Sequence, residues 1–445
     1  MEVTVEEISA QTPNALSTGP FGSAISSRFF QDQGIPVIRG GNLSEQTGIR
    51  LNHENLVYVS EDKANEFTRS LVKRGDLVFT CWGTVNQVGL IDNTALYDQY
   101  IVSNKQMKFT PNPDRADSEF LYYLFSGPEM QATIKGQAIG SSVPGFNLGQ
   151  LRSMKIQLPP REEQRAIADI LGSLDDKIEL NRRMNETLEA TARAIFKSWF
   201  VDFDPVHYKA RGEYPPSLDA ETAALFPDSF EDSALGPIPS GWRAVLLQDY
   251  VNLIKGRSYK SEELEPSSTA LVTLKSFERG GGYNPEGLKS YTGPYKPEQV
   301  VMPGEIVVAY TDITQQAEVI GRPAIVLDDP RFETLVASLD TAIVRPLLPL
   351  NIPYLYLLFM TDDFNYHAVS YTNGSTVLHL SKNALPEYEF VLPESRVLEV
   401  FDELTQPLFE KMVVNEQQIR TLAETRDALL PKLVSGEIRV GELQP

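Results

Sequence analysis

Four histidines, one cysteine and an adjacent pair of aspartates are the residues of this chain that invite a catalytic reading. His53, His207, His367 and His379 show no i, i+4 spacing of a helical zinc pair, so each reads as structural or surface. Cys81 lies in Leu77-Val-Phe-Thr-Cys-Trp82, a strand-like run where a buried thiol is favoured over a nucleophile. A single cysteine also excludes an internal disulfide and a Cys-based zinc site. Asp175-Asp176 has the form of a paired-carboxylate site. It follows Gly172-Ser173, however, and acids in a first helical turn face free N–H groups and the positive dipole end. No Gly-x-Gly-x-x-Gly follows a strand and no Walker loop occurs; Gly280-Gly-Gly282 reads as a turn. The Asn-Pro-Pro-Tyr or Asp-Pro-Pro-Tyr run of amino-group methyltransferases is missing, and Asp202-Phe-Asp-Pro205 is only a distant echo of it. Nothing visible carries catalysis, which turns attention to binding and to the elements that would present it.

Those elements occur twice. At an offset of 234, Leu121, Tyr122, Leu124 and Phe125 fall on Leu355, Tyr356, Leu358 and Phe359, and Gly140-Ser-Ser-Val143 on Gly374-Ser-Thr-Val377. Leu158-Pro159 falls on Leu392-Pro393, and Lys177, Asn181, Leu188, Thr191 and Ala194 fall on Lys411, Asn415, Leu422, Thr425 and Ala428. At an offset of 229, Gly75-Asp-Leu-Val-Phe79 falls on Gly304-Glu-Ile-Val-Val308. Collinear matches across strands, turns and helices make the chain two similar halves. In each half, short strands (34–38 and 77–82; 271–274 and 306–310) precede a helix (117–134; 353–364), an irregular mixture that reads as α+β.

A helical region closes each half. Ile167, Leu174, Asn181, Leu188 and Ile195 recur every seven residues, as do Phe401, Leu408, Asn415, Leu422 and Leu429, a period that signals coiled-coil packing. Gly172-Ser173 and Pro407 predict breaks, leaving long helices over about 174–200 and 407–430, roughly 35–40 Å each. Six prolines over 201–240 predict a connector without regular elements, ordered in part around Trp199, Phe200, Phe203 and Trp242. The expected divisions are 1–158, 159–200, 201–240, 241–393 and 394–445.

Composition bounds the function. Forty basic against 60 acidic side chains give a net charge of −20, which does not by itself suggest a nucleic-acid partner. Apolar residues at 42% and charged residues at 22% suit a globular chain. No run of 18 apolar residues predicts a membrane span, and Met1-Glu-Val-Thr-Val-Glu-Glu7 lacks signal-peptide order. A cytoplasmic location is expected.

The repeated α+β part followed by a heptad helix resembles the specificity subunit of a type I restriction–modification system, over nearly the whole chain. Leu158-Pro-Pro-Arg-Glu-Glu-Gln-Arg-Ala-Ile167, Ile178-Glu-Leu-Asn181, Phe196-Lys-Ser-Trp-Phe200 and Ile238-Pro-Ser-Gly-Trp242 carry the likeness. The second half departs from it, with Pro393-Glu-Ser-Arg396 in place of Pro159-Pro-Arg-Glu162. The resemblance implies two target recognition domains, each reading half of a bipartite double-stranded DNA target. It implies that the two long helices pair as an antiparallel coiled coil with pseudo-twofold symmetry, set the spacing and dock two modification subunits, which motor-nuclease restriction subunits join. It implies no cofactor on this chain, S-adenosylmethionine belonging to the modification subunit, and no catalysis by the chain itself. The rival readings are a self-sufficient methyltransferase, which the missing cofactor motif opposes, and a coiled-coil scaffold without DNA readout.

For DNA reading, polar side chains on loops between strands are the candidates. In the first domain these are Arg39, Asn42, Thr84, Asn86, Gln87 and Ser142, and in the second Lys275, Arg279, Thr311, Thr314, Gln315, Gln316 and Thr376. Asn181 and Asn415 are expected to be a buried pair fixing helix register. The acid excess extends to the domains: residues 1–150 hold 11 basic and 16 acidic side chains, residues 241–393 hold 12 and 18.

Overall fold

The computed structural model describes residues 1–140, 144–216, 218–314 and 316–442. The chain divides into two compact units: Met1–Arg182 with the residues from Glu416 on, and Arg183–Asn415.

In the first unit, Leu16–Thr18, Gln106–Phe109, Leu77–Thr80 and Val88–Leu90 form, in that spatial order, an antiparallel sheet. Leu77–Thr80 and Gln106–Phe109 are buried at every residue, as central strands covered on both faces must be. A second sheet runs Val57–Val59, Ile35–Ile38, Gln99–Val102, Leu71–Lys73, with its central pair parallel. Glu2–Thr4 pairs with Lys155–Gln157. The helix expected over 117–134 is two helices, Ser118–Ser126 and Pro128–Gln137, because Pro128 has no N–H to continue the first and is preset to begin the second. Asp117 caps the first by accepting from the N–H groups of Glu119 and Phe120. The core gathers Phe79, Phe109, Phe120 and Phe125 with Leu171, Leu430 and Leu433 of the long helices; Phe79 and Phe125 meet edge to face at 5.1 Å.

The second unit has the same topology. Val251–Lys255, Thr341–Pro346, Ile306–Ala309 and Pro323–Ile325 form one sheet; Lys289–Ser290, Thr269–Val272, Thr334–Ala337 and Val300–Val301 form the other, its central pair again parallel. Arg243–Leu246 pairs with Glu389–Leu392. Helices Ile352–Phe359 and Asp362–Ser370 follow, broken like those of the first unit. The 234-residue offset is thus a structural repeat, strand directions included.

Two long helices, Arg161–Phe196 and Ser395–Ser435, have 36 and 41 residues and run unbroken through Gly172 and Pro407, contrary to the expected breaks. Gly172 lies under the Glu119 carboxylate, which would stand 2.8 Å from a Cβ at that position. Pro407 is exposed, as is Glu403, whose carbonyl loses its intrahelical donor on the solvent side. Asp175 therefore sits mid-helix, buried, where it meets Arg426 at 2.7 Å. In the first unit that contact and Asn181 to Gln418, 3.2 Å, show the two helix segments running in opposite directions. In the second unit Asn185 to Asn415, 2.8 Å, and the rings of Phe196 and Phe401 show the same.

The proline-rich stretch is not devoid of regular structure. It holds helices Asp204–Ala210 and Ala220–Ala224 and a hairpin, Phe230–Ser233 with Gly236–Pro239. Pro205 sits in a first helical turn and Pro237 and Pro239 in a two-stranded ribbon, positions that tolerate the missing N–H. Trp199, Phe226 and Trp242 pack around it, with Trp199 to Phe226 at 5.1 Å. The stretch belongs to the core of the second unit.

Candidate nucleic-acid interface

In the first unit, backbone hydrogen bonds draw five loops to one edge of the sheets. Gly19 N–H donates to Gln106, Ser103 N–H to Ile38, Cys81 N–H to Lys105 and Phe146 N–H to Cys81, at 2.7–3.0 Å. Gly83 N–H donates to Pro144 at 3.0 Å, and the Asn104 amide to Gly22. Gly19 is required here, because a Cβ would fall 1.8 Å from the Ser103 carbonyl oxygen. The described segments near residues 19–23, 39–42, 81–87, 103–105, 139–140 and 144–146 therefore share a face.

The second unit repeats this with different side chains. Gly256 N–H donates to Thr341, Ser338 N–H to Val272, Tyr310 N–H to Asp340 and Leu380 N–H to Tyr310, at 2.7–3.1 Å. A Cβ at Gly256 would lie 2.0 Å from the Ser338 carbonyl oxygen. Gly280 N–H reaches Glu318, bringing the triple-glycine turn to the same edge. All three of these glycines have positive φ, as the turn reading requires.

On these faces the candidates divide. Thr84, Lys275, Arg279, Gln316 and Thr376 are exposed. Arg39 is half-buried and donates to the Asn55 carbonyl at 2.8 Å. Gln87 is half-buried between Thr80 and the Leu43 carbonyl. Asn42 is buried with its amide donating to Asn52 and Glu54 and its oxygen accepting from Arg39 N–H, so it fixes the loop. Asn86 is buried against Glu45, and Thr311 is buried and donates to Asp340. Thr314 is tied by N–H and hydroxyl to Asp312. Sequence reading cannot separate such loop formers from free donors, since Asn and Thr serve both uses. Ser142 and Gln315 lie outside the described residues.

Asn181 and Asn415 are both buried, but they do not pair with one another. Asn415 donates to Asn185 and Asn181 to Gln418, because the antiparallel register is displaced by one turn from the expected one.

Electrostatics hold these loops in place. Burial alone would raise the Asp312 carboxyl, but donors from Val319, Thr314 and Ile320 outweigh it and keep it below the ordinary carboxylate range. Burial pushes the Cys81 thiol up to about 11, consistent with a packing role. Among the described residues no group of three His, Cys, Asp or Glu side chains is placed to hold a metal, and no helix is long and apolar enough to cross a membrane. The first face also presents the exposed Phe21, Trp82 and Lys105, and the second the half-buried Asp340, none of them among the sequence candidates. The signal was available for Trp82, an aromatic directly before the Gly83-Thr84 turn.

Residues 22–190 match the family model described as the type I restriction modification DNA specificity domain. The MjaIX type I restriction enzyme specificity subunit of Methanocaldococcus jannaschii is 27% identical over 421 residues, 91% of this chain and 88% of that protein. By these matches residues 22–190 carry a type I restriction modification DNA specificity domain, and the chain is similar to type I specificity subunits over most of its length. A second specificity subunit, HindI of Haemophilus influenzae, is 25% identical over 415 residues, covering 83% of this chain and 88% of its own. The type I S subunit of M. genitalium shares the fold, with a TM-score of 0.54 at 16% identity over 97% of this chain and 95% of that one. A specificity subunit recognises DNA sequence and is itself non-catalytic.

Proposed function

We propose that the two loop faces each read one half of a bipartite DNA target, through Arg39, Thr84 and Gln87 in the first unit and Lys275, Arg279, Thr314, Gln316 and Thr376 in the second. Ser142 and Gln315 stay in the proposed set from their places in the sequence, and Asn42, Asn86 and Thr311 support it as loop formers. The observation that carries this is one strand topology presented twice with different loop side chains. A constant scaffold with variable loops is what separable half-site readers need.

In this reading the recognition domains span 1–158 and 241–393, and the helical regions 159–200 and 394–445. The paired helices form an antiparallel coiled coil with pseudo-twofold symmetry that sets the spacer, with Asn181 and Asn415 fixing register. They dock two modification subunits, which carry S-adenosylmethionine, and restriction subunits join that core in the cytoplasm. The acid excess is offset either by basic residues gathered on the loop faces or by phosphate contacts from the modification subunits.

Exchange of residues 241–393 for the matching segment of a relative tests this. In the complex with modification subunits, mapping of methylated sites is expected to show one half of the target changed and the other retained. Change in both halves, or in neither, overturns it. A scaffold without DNA readout, which the net charge of −20 favours, would leave the methylated sequence unaltered.

A further inference from the structure

We propose that Trp82 is a specificity-determining residue of the first unit, meeting the 5-methyl group of a thymine in the major groove; this rests on the DNA-reading function proposed above.

Trp82 follows the fully buried strand Leu77–Thr80, yet its side chain is 51% exposed. The backbone there is held on both sides, by Phe146 N–H to Cys81 and Gly83 N–H to Pro144. The ring is seated on Gly145: a Cβ at that position would lie 2.5 Å from Cζ3 and 2.9 Å from Cε3 and Cη2. Only glycine fits beneath it. Thus a large apolar group is kept on the surface by a built seat, among the loops that carry Arg39, Thr84 and Gln87.

The seat also selects the mode of contact. A wedge inserted between base pairs presents two ring faces, and here one is covered by the Gly145 backbone. What stays free is an edge and one face, suited to an apolar feature on a base edge. In the major groove that feature is the thymine methyl. The repeat supplies an independent argument. Thr311 occupies the equivalent seat in the second unit, paired with His379 as Trp82 is with Gly145. It is buried and hydrogen-bonded to Asp340 instead of exposed. The same scaffold position thus forms the loop in the second unit and presents an exposed ring in the first, so the fold itself does not demand an aromatic there.

The test uses the chain in complex with its modification subunits. The target is first defined by methylation mapping, and the half read by the first unit by the domain exchange above. Binding is then measured to duplexes in which each thymine of that half is replaced singly by deoxyuridine, which lacks only the methyl. One replacement is expected to weaken wild-type binding roughly fourfold, the effect of one buried methyl at about 0.8 kcal/mol. Trp82→Ala is expected to bind the two duplexes equally, and Trp82→Phe to keep part of the preference. A half-site without thymine, wild-type indifference at every thymine, or an unchanged preference in Trp82→Ala overturns the assignment. If Trp82→Ala does not assemble, wild type and Trp82→Phe decide it. A complex with no sequence preference at all overturns DNA reading itself, whereas sequence-selective binding blind to uracil overturns only the role of Trp82.

Discussion

At the residue scale, the most consequential group is the buried knot of the first unit. Asp175 accepts from the Tyr123 hydroxyl at 2.6 Å and from Arg426 at 2.7 Å, while Arg50 bonds Tyr123, Asp92 and Glu119. Burial alone would lower the Arg426 guanidinium, but the Asp175 carboxylate beside it more than compensates and holds it above the ordinary arginine value. Removing one partner of such a pair strands the other. Arg426→Met is expected to destabilise the first unit by about 3–5 kcal/mol in denaturant titration. Arg426→Met with Asp175→Leu should recover most of that; equal stabilities for wild type and Arg426→Met would show the pair to be dispensable. In the second unit Asp312 gathers the N–H groups of Thr314, Val319 and Ile320. Asp312→Ala is expected to cost about 1–3 kcal/mol at neutral pH by orphaning them. Because the folded carboxyl lies below its ordinary 3.8, its contribution is present above that value and is lost as pH falls through the folded one. The gap between wild type and Asp312→Ala should therefore narrow in acid, and a gap that widens there refutes the assignment.

At the scale of elements, the repeat, the α+β character and the heptad helices were legible in the sequence, because apolar periodicity is set by burial. Phe401, Asn415 and Asn181 of the heptad columns are indeed buried. The supposed breaks were not legible: Gly172 marks a neighbour's approach, and Pro407 an exposed turn whose tolerance depends on where solvent lies. The proline-rich connector misled for a related reason, since its prolines occupy first-turn and ribbon positions that only the assembled unit defines. Loop residues were legible as loop residues but not as free or bound, because partners such as Asn52 and Glu54 for Asn42 come from other turns. The helix pair carries its own prediction. Asn415→Leu alone removes the donor that Asn185 accepts and is expected to cost about 1–3 kcal/mol. Asn185→Leu with Asn415→Leu should be neutral or stabilising, since an apolar pair replaces a buried polar one. Denaturation midpoints distinguish the two, and a double variant as unstable as the single one removes the pairing argument.

At the scale of the molecule, the first unit is built from two separate stretches of chain and the second from one, and each takes segments of both long helices into its core. The first completes its core with Leu430 and Leu433, and the second packs Ala192 and Phe196 with Phe401 and Phe409. Truncation after Asn415 is therefore expected to expose the apolar surface of Phe120, Leu171 and their neighbours in the first unit while leaving Arg183–Asn415 folded. Limited proteolysis of the truncated chain should cut first within residues 1–182; preferential cutting within 241–393 would contradict the division.

This order of assembly bears on synthesis. A ribosome delivers residues 1–182 of the first unit before the second unit, yet their last structural partners, from Glu416 on, leave the exit tunnel only after the whole of Arg183–Asn415. The earlier-made unit must then wait, with part of its core open to chaperones and proteases, until the segment carrying Leu430 and Leu433 emerges. A nonsense mutation at Glu416 would thus injure a portion of the protein encoded more than two hundred codons upstream, and spare the one beside it.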